Sequence, residues 1–352
     1  MTIRVGIIGC GFIGTIHSLA LRALVAGGAV DARVVATCDA DLRRAEAVAR
    51  PHGADLVTTD AGELLAAVDA AWICTPTATH PALVAAAACQ GVAIFCEKPL
   101  AVDLASATRL VDDVAAAGVA AQVGLVLRSA PALVALHDLV RGGSLGRPMA
   151  VVLRDDQYLP TQGQYASTWR GDVAQAGGGT LLEHSIHDLD VLRWLLGDPI
   201  DVSARTACMA GLPGIEDVAS VTLAFASGAT ASLVSVWHQV LTRPSSRRIE
   251  VLCEDGLAWL GGDEWGGPLE VLTGAGPEVR PTPPDPEVVA LPVAARWRQV
   301  VVQYAPQVRA FLRAVADGTA PRPDLATGLA AHRLADAAYR SAAAGGLPVV
   351  VG

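Results

Sequence analysis

The chain has 352 residues, of which 52% are apolar and 17% charged, and its formal net charge at pH 7 is −9. This length suggests two domains, and the apolar fraction argues against a disordered chain. The acidic balance without a basic run argues against a nucleic-acid partner, although a single nucleotide can still bind at a helix N-terminus.

The first third of the chain alternates short apolar runs with helical patterns. Repeated βα units of this kind favour a parallel sheet with helices on both faces. The predicted strands are 3–8, 33–38, 70–74, 92–96 and 120–126, and the predicted helices between them are 17–25, 41–50, 81–90 and 104–117.

After about residue 125 the pattern changes to strand-length runs in which apolar and polar residues alternate. Such alternation predicts antiparallel strands with one buried face. We therefore predict an α/β domain at 1–124 and an α+β domain at 125–352. The later elements are predicted strands at 149–154, 200–209, 216–226, 229–237, 247–253 and 256–260, a helix at 180–196, a loop or irregular edge hairpin at 261–293, and two helices within 300–344 separated by Pro321-Arg322-Pro323.

A glycine-rich motif, Gly9-Cys10-Gly11-Phe12-Ile13-Gly14, lies between the first strand and the first helix. In a dinucleotide-binding turn, the first glycine permits the tight turn, the second lets the backbone approach the pyrophosphate, and the third lets helix and strand pack closely. The strand before the motif and the helix after it favour this interpretation over a glycine-rich turn without a ligand.

The second predicted strand is followed by Asp39. A carboxylate at this position accepts hydrogen bonds from the adenosine ribose and repels a 2′-phosphate, which favours NAD over NADP. Arg43 and Arg44 lie nearby and keep NADP open, and an aspartate that only caps the next helix is the alternative without a ligand.

A loop with several polar residues follows the third predicted strand of the same sheet. The loop that contains Thr75, Pro76, Thr77 and His80 follows the strand at 70–74 and is placed to line the cofactor, although Thr79 or His80 can instead cap the next helix.

The triplet Glu97-Lys98-Pro99 follows the strand at 92–96. A partly desolvated lysine there can donate to a substrate oxygen and relay protons, and a cis bond before Pro99 would fix its direction. The alternative is a Glu-Lys pair on a surface loop.

A further candidate site segment is 177–190, which begins with three glycines. If it is helical from about Thr180, then Glu183, His187 and Asp190 share one stripe, and a carboxylate one turn from an imidazole orients a general acid/base histidine. The glycines would let a substrate approach the start of the helix. Two alternatives are a metal site that includes His184 and a helix whose polar face meets solvent.

The seven cysteines are an odd number, contain no Cys-x-x-Cys pair and often lie in apolar runs. This pattern is typical of reduced thiols in a reducing compartment. Strand-like sequence from Ile3 leaves no room for a signal peptide, and no stretch is long enough to span a bilayer. We expect a soluble, cytoplasmic protein without a membrane partner.

Three motifs in this order resemble the glucose–fructose oxidoreductase / inositol dehydrogenase / MocA-like (Gfo/Idh/MocA) family over nearly the whole chain. They are GCGFIG at 9–14, the Glu97-Lys98-Pro99 triplet, and GGG-x3-E-x3-H-x2-D at 177–190 followed by Trp194-Leu195-Leu196-Gly197. The resemblance implies a Rossmann domain, plus an α+β domain with a large, mostly antiparallel open sheet that pairs copies into a homodimer or homotetramer.

The resemblance also implies an NAD(P)-dependent dehydrogenase that acts on CH–OH groups of sugars, cyclitols or related polyols. We expect no metal, because no third strong ligand motif appears in the sequence. Lys98 and His187 match the catalytic positions of the family, and Glu183 stands where the family has an aspartate. Ser185 replaces a frequent glycine, and His184 adds an imidazole. These departures place the identity of the substrate in doubt more than the type of reaction.

The hypothesis that follows has His187 take the hydroxyl proton while a hydride leaves carbon for the nicotinamide. Lys98 hydrogen-bonds the same oxygen, Glu183 orients His187, and Asp190 and His184 bind neighbouring hydroxyls. Two alternatives stay open, namely an NAD(P)-binding regulator without turnover and a dehydrogenase of a non-sugar substrate such as a dihydrodiol or imine.

Overall fold

The computed structural model describes residues 2–163, 166–261 and 267–351. The chain divides into two compact units, one formed by Met1–Ser129 with Pro284–Leu329 and the other by Ala130–Pro283 with Ala330–Gly352. The predicted division kept everything after residue 124 in a single second domain. In the structure, by contrast, Pro284–Leu329 belongs to the first unit.

The first part of the chain alternates strands and helices, as predicted. The elements in order are β1 (Ile3–Ile8), α1 (Phe12–Ala26), β2 (Ala32–Cys38), α2 (Leu42–Ala49), β3 (Leu56–Thr58), α3 (Ala61–Leu65), β4 (Ala70–Ile73), α4 (His80–Cys89), β5 (Ala93–Cys96), α5 (Leu104–Ala117) and β6 (Ala121–Val123). No element was predicted between residues 51 and 69, because β3 and α3 are too short to show a periodic pattern.

The second part begins with a helix and continues mainly as strands. Its elements are α6 (Pro131–Arg141), β7 (Pro148–Tyr158), α7 (Val173–Ala176), α8 (Ile186–Leu196), β8 (Pro199–Ala207), β9 (Val218–Phe225), β10 (Thr230–His238), β11 (Ser246–Cys253), β12 (Gly256–Gly261), β13 (Leu269–Thr273) and β14 (Gly276–Arg280). The chain ends with α9 (Pro286–Val289), α10 (Ala295–Asp317), α11 (Leu325–Ala343) and β15 (Val349–Val350).

The described strands of the first unit form a six-stranded parallel sheet with the order β3-β2-β1-β4-β5-β6. The order reverses between β1 and β4. In open sheets of this type, ligands bind outside the carboxyl ends of the strands at such a switch point. The predicted Rossmann architecture is therefore confirmed.

Packing on one face of this sheet explains why 284–329 belongs to the first unit. Trp72 of β4 stacks on Phe95 of β5 with 5.4 Å between ring centroids, and Phe311 of α10 meets both rings edge-on at 5.1 and 5.7 Å. All three side chains are fully buried. Burying a phenylalanine of this kind stabilises a fold by about 1.5–3 kcal/mol, so α10 completes the core of this unit.

The described strands of the second unit form a nine-stranded sheet with the order β14-β13-β12-β11-β7-β10-β9-β8-β15. β10 runs parallel to β7, and the other described neighbours are antiparallel. The prediction of a large, mostly antiparallel sheet is confirmed. The expected edge hairpin is formed by β13 and β14, and residues 262–266 of the predicted 261–293 segment lie outside the described residues.

Burial alternates along the central strands of this second sheet. On β7, Val151 and Leu153 are buried, whereas Val152 between them is 48% exposed, and Val234 on β10 is 41% exposed. One face of the sheet is therefore core, and the other carries accessible apolar side chains. Among the described helices, none combines the length and the apolarity that a membrane crossing requires.

Candidate active site

The three motif glycines meet three different spatial requirements. Gly9 has a φ of +90°, and a Cβ there would lie 2.6 Å from the carbonyl of Cys74. A Cβ on Gly14 would lie 1.9 Å from the carbonyl oxygen of Gly9, whereas a Cβ on Gly11 would meet no atom within 4 Å. The first and third glycines are thus required by the protein's own backbone, and the second borders an open space that a ligand can enter.

The first helix starts at this open space. α1 begins at Phe12, and its N-cap residue is Gly11, which has no side chain to supply the usual capping oxygen. Helix N-termini carry a partial positive charge and point N–H groups outward, so an anion is favoured there. Phe12 is exposed and Ile13 half-buried at this end. The loop therefore fits the pyrophosphate of a dinucleotide.

Asp39 lies half-buried at the carboxyl end of β2. Its Oδ2 accepts a hydrogen bond from the backbone N–H of Cys10 at 2.7 Å, and its Oδ1 accepts from that of Asp41 at 2.9 Å. The helix cap that the sequence left open for Asp39 is formed by Asp41, which accepts from Arg43 N and also forms an ion pair with the Arg43 side chain. Asp39 therefore ties the glycine-rich loop to β2 and presents a carboxylate beside it.

The loop after β4 is cross-linked by hydrogen bonds. Thr79 Oγ1 donates to the carbonyl of Pro76 at 2.8 Å, so its hydroxyl does not cap α4. The buried ring of His80 has Nε2 2.9 Å from the carbonyl of Thr75 and Nδ1 2.9 Å from that of Pro99. Burial lowers the pKa of His80. His80 thus joins the loops that follow β4 and β5, and Thr77 is buried within the loop that follows β4.

The Glu97-Lys98-Pro99 triplet follows β5 with a cis peptide bond between Lys98 and Pro99, as expected. The side chain of Glu97 is buried and points into the unit, where its Oε1 lies 2.7 Å from Nε2 of His17. Lys98 itself is half-buried. The sequence did not predict the contact with His17, because the two residues are 80 positions apart.

The predicted helix at 180–196 is divided in two. Thr180–His184 forms a π-helical turn, in which Ser185 N donates to Thr180 O at 2.8 Å, and α8 begins only at Ile186. The predicted α-helical stripe therefore holds for His187 and Asp190 but does not extend to Glu183. Side chains that are far away in the sequence hold the turn in this form. Helical periodicity does not detect such partners, which is why it predicted a regular helix here.

Glu216 holds the start of the π turn. Its buried carboxylate accepts from Gly179 N at 2.7 Å, from Leu181 N at 2.9 Å and from the hydroxyl of Tyr339 at 2.9 Å. A Cβ on Gly179 would lie 1.9 Å from the carbonyl oxygen of Glu216, and one on Gly178 would lie 2.4 Å from the Tyr339 hydroxyl. These glycines thus make room for Glu216 and Tyr339, a requirement different from the expected approach of a substrate.

Glu183 takes part in an ion pair that the sequence did not predict. Its Oε1 accepts from Arg170 Nε at 2.6 Å, and Arg170 also donates to Ser167 Oγ at 2.8 Å. The guanidinium carbon of Arg170 lies 4.6 Å from the centroid of the Trp169 ring. Arg170 therefore neutralises part of the charge of the carboxylate that stands four residues before His187 in the chain.

A second buried cluster surrounds His184. Its Nε2 lies 2.8 Å from Oδ2 of Asp155, a residue of the central strand β7. Arg247 of β11 lies between two carboxylates, with Nε 2.6 Å from Asp188 Oδ1 and NH2 3.4 Å from Asp155 Oδ2. Ser185 Oγ donates to Asp155 at 3.1 Å.

The pKa values of the two carboxyl groups in this cluster are shifted in opposite directions. Burial disfavours both charged forms, but for Asp155 the neighbouring Arg247 and His184 outweigh burial and lower its pKa. For Asp188, burial together with repulsion from Asp155 exceeds the effect of Arg247 and raises its pKa to about 6. The cluster therefore holds one firmly ionised carboxylate and one that takes a proton in mildly acidic solution.

His187 and Asp190 lie within the first two turns of α8, and both are largely buried. The residues proposed as an alternative metal site are directed to protein partners, since His184 faces Asp155 and Glu183 faces Arg170. Within 2–163, 166–261 and 267–351, no group of three or more His, Cys, Asp or Glu side chains is arranged to hold a metal ion.

Comparisons with known proteins assign both units. Residues 3–125 match the model of the oxidoreductase family with an NAD-binding Rossmann fold, and residues 133–258 match that of the GFO/IDH/MocA C-terminal domain. An inositol 2-dehydrogenase of Rhizobium meliloti is 34% identical over 350 residues, which cover 97% of this chain and 98% of the relative. The chain belongs to the Gfo/Idh/MocA oxidoreductase family.

Two further Gfo/Idh/MocA-type relatives agree with this assignment. A crystal structure of a putative myo-inositol dehydrogenase from Sinorhizobium meliloti is 31% identical and superposes with a TM-score of 0.79, with all of both chains covered. A 1,5-anhydro-D-fructose reductase of Ensifer adhaerens is 32% identical over 61% of this chain and 63% of its own length. This family member is an NAD-dependent oxidoreductase, as the motifs predicted.

Proposed function

We propose that this protein oxidises a secondary alcohol of a cyclitol or a related sugar with NAD. The observation that carries the proposal is the full-length similarity to an inositol 2-dehydrogenase, which includes the unit that bears His187. The buried polar network around the π turn supports it, because a satisfied network of this kind fixes the conformation of the segment that bears His187.

The glycine-rich loop would hold the cofactor through backbone N–H groups, and Asp39 would accept from its adenosine ribose. The remaining proposed contacts are groups of Phe12, Ile13, Thr75, Pro76, Thr77, His80 and Lys98, together with the backbone of Glu97, whose carboxylate faces His17. Bound NAD supplies the acceptor for the hydride that leaves the carbinol carbon.

His187 takes the hydroxyl proton as general base, and Lys98 donates a hydrogen bond to the same oxygen as negative charge develops on it. Glu183 orients the imidazole, and its ion pair with Arg170 restrains the carboxylate. Asp190 and His184 bind neighbouring hydroxyl groups, and His184 is held for this by Asp155.

We also propose that the exposed face of the nine-stranded sheet pairs with a second copy of the chain. Accessible apolar side chains on this face, among them Val152 and Val234, would be covered by such pairing. Sedimentation of wild type and of Val152→Asp tests this. A dimer or tetramer that dissociates in the variant is expected, and a monomeric wild type would contradict it.

The substrate is tested by NADH formation with a panel that contains inositols, 1,5-anhydro sugars and simple sugars, each at the same concentration with saturating NAD. The highest kcat/KM is expected for an inositol or a closely related cyclitol. Dihydrodiols are added to the same panel, and imines are tested in the opposite direction with NADH. NADH formation only with dihydrodiols, or NADH consumption only with imines, would contradict the polyol assignment. NAD binding without turnover on any compound would favour a regulatory protein.

A further inference from the structure

His17 and Glu97 form a polar contact inside the first unit. His17 lies on α1, three residues after the last motif glycine, and its side chain is completely buried, while Glu97 at the end of β5 is 6% exposed. The distance from His17 Nε2 to Glu97 Oε1 is 2.7 Å. A buried carboxylate is costly unless it is paired, so Glu97 depends on this imidazole.

The other oxygen of Glu97 is directed to the backbone of Lys98. Glu97 Oε2 accepts from the Lys98 N–H at 3.2 Å. Gly124 packs against the same carboxyl group, since a Cβ there would lie 2.7 Å from Oε1 and 2.8 Å from the carboxyl carbon. Gly124 is itself fixed, since its N–H donates to the carbonyl of Cys96 at 2.8 Å. The carboxylate therefore has little room to turn away from Lys98.

The imidazole of His17 is held by aromatic rings. Phe95 meets it at a centroid distance of 4.9 Å and an angle of 64°, and Tyr304 of α10 meets it at 5.6 Å and 88°. Edge-to-face contacts of this kind favour one orientation of the ring. The orientation of the Nε2 atom toward Glu97 is thus set by the packing of β5 and α10.

We propose that His17 is a positioning residue for Lys98, acting through the carboxylate of Glu97. The imidazole fixes the carboxylate, the carboxylate fixes the peptide N–H of Lys98, and the direction of the lysine side chain follows from its backbone. Replacing a buried ion pair by apolar residues of similar volume is often neutral for stability, so stability alone does not account for this polar pair. The inference rests on the proposed function, in which Lys98 contacts the substrate oxygen.

The test compares His17→Phe, which keeps a ring but loses the donor, with His17→Gln, which keeps a side-chain N–H at similar reach. Each is measured for kcat and KM with the best polyol, for NAD affinity by calorimetry, and for thermal unfolding. His17→Phe should lower kcat by about 10- to 100-fold, because small misplacements of a reacting group have effects of this size. NAD affinity should change less than twofold, and His17→Gln should retain most of the turnover.

A double-mutant cycle with Lys98→Ala decides whether the effect passes through the lysine. In the Lys98→Ala background, adding His17→Phe should lower kcat little further. If the loss of kcat in the double variant equals the product of the two single losses, the two residues act independently. That result would overturn the inference but leave the role of Lys98 intact. Lys98→Ala with wild-type turnover would instead refute that role, and with it the inference.

A change in NAD affinity with kcat retained would also overturn the inference, because it would make the pair part of the cofactor site. Glu97→Gln provides the second variant if His17→Phe does not fold. The glutamine fills the same space and keeps an acceptor for Lys98 N–H, so its kcat should fall by less than about tenfold, the smallest loss expected when the His17 donor is removed. A larger loss for Glu97→Gln would place the effect at Glu97 itself and contradict a role for His17.

Discussion

The two units build their functional parts in different ways. In the first unit, the glycine-rich loop, Asp39 and Lys98 each follow directly from a strand of one parallel sheet, so short local motifs bring them to one edge. In the second unit, the segment that bears His187 is held by residues of distant strands and helices. Asp155, for example, lies 30 positions before Ser185, and Arg247 lies 59 positions after Asp188.

The two units also differ in the interactions on which the stability of these parts depends. The loop of the first unit depends on the absence of side chains, since a Cβ on Gly9 or Gly14 would collide with backbone atoms. The segment of the second unit depends on buried charges that compensate one another, such as Asp155, Asp188 and Arg247. Mutations should therefore act through overpacking in one unit and through uncompensated charge in the other.

The largest effect on stability is expected for Arg247→Met. Removal of the buried guanidinium leaves two carboxylates without their main compensation, which should cost about 3–5 kcal/mol of unfolding free energy. Arg147→Met is the matched control, because Arg147 pairs with Glu254 at an exposed site and should cost about 0–1 kcal/mol. Urea denaturation measures both, and equal losses would contradict a special role of the buried cluster.

The next effect separates two glycines of the same loop. Gly14→Ala should destabilise the protein by about 3 kcal/mol even without cofactor, because the new methyl group overlaps the Gly9 carbonyl. Gly11→Ala should leave unfolding nearly unchanged but weaken NAD binding about tenfold or more, because the methyl group enters the space of the pyrophosphate. Thermal unfolding and calorimetry distinguish them. Loss of stability in both variants would refute the separate roles.

A smaller effect is expected at the start of the π turn. Tyr339→Phe removes one donor from the buried carboxylate of Glu216, and hydrogen bonds to charged groups contribute about 1.5–3 kcal/mol. The lower end is expected, because the N–H groups of Gly179 and Leu181 remain. Burial already raises the pKa of Glu216, and loss of the Tyr339 hydroxyl should raise it further. Urea denaturation with an unchanged midpoint would contradict this account.

The smallest effect is a dependence on pH. The pKa of Asp188 is raised to about 6 in the folded protein, so the folded state holds this proton more tightly than the unfolded state. Its contribution to stability is full below the unfolded pKa of about 4 and is lost as the pH rises through about 6. The stability of wild type minus that of Asp188→Asn should therefore fall between pH 4 and pH 7. A difference that stays constant or rises over this range would show that Asp188 does not titrate there.

The sequence predicted those parts of the molecule that depend on neighbours in the chain. The βα order, the glycine-rich loop and the position of Lys98 follow from local patterns, since strand ends of a parallel sheet meet at one edge. The strand β3 was missed because three residues show no period. The π turn was predicted as regular helix because its shape depends on distant partners. These are the carboxylate of Glu216 and the hydroxyl of Ser235, which lies 2.6 Å from the hydroxyls of Thr180 and Ser185.

The partners of the candidate site residues were predicted least well. The carboxylate of Glu97 faces His17 and that of Glu183 faces Arg170, and neither contact was foreseen. These contacts depend on which buried side chains face each other in three dimensions. A single sequence carries that information only through a family resemblance, which supplied Lys98 and His187 but not the residues behind them.

The most direct test of the account measures NAD binding and NAD reduction on the same samples of wild type and His187→Asn. Calorimetric titration gives the affinity for NAD, and addition of an inositol then gives the rate of NADH formation. We expect equal affinities and a rate that is about 10²- to 10⁴-fold lower in the variant, as for the loss of a general base. Undiminished NADH formation by the variant, or a wild type that does not bind NAD, would contradict the account.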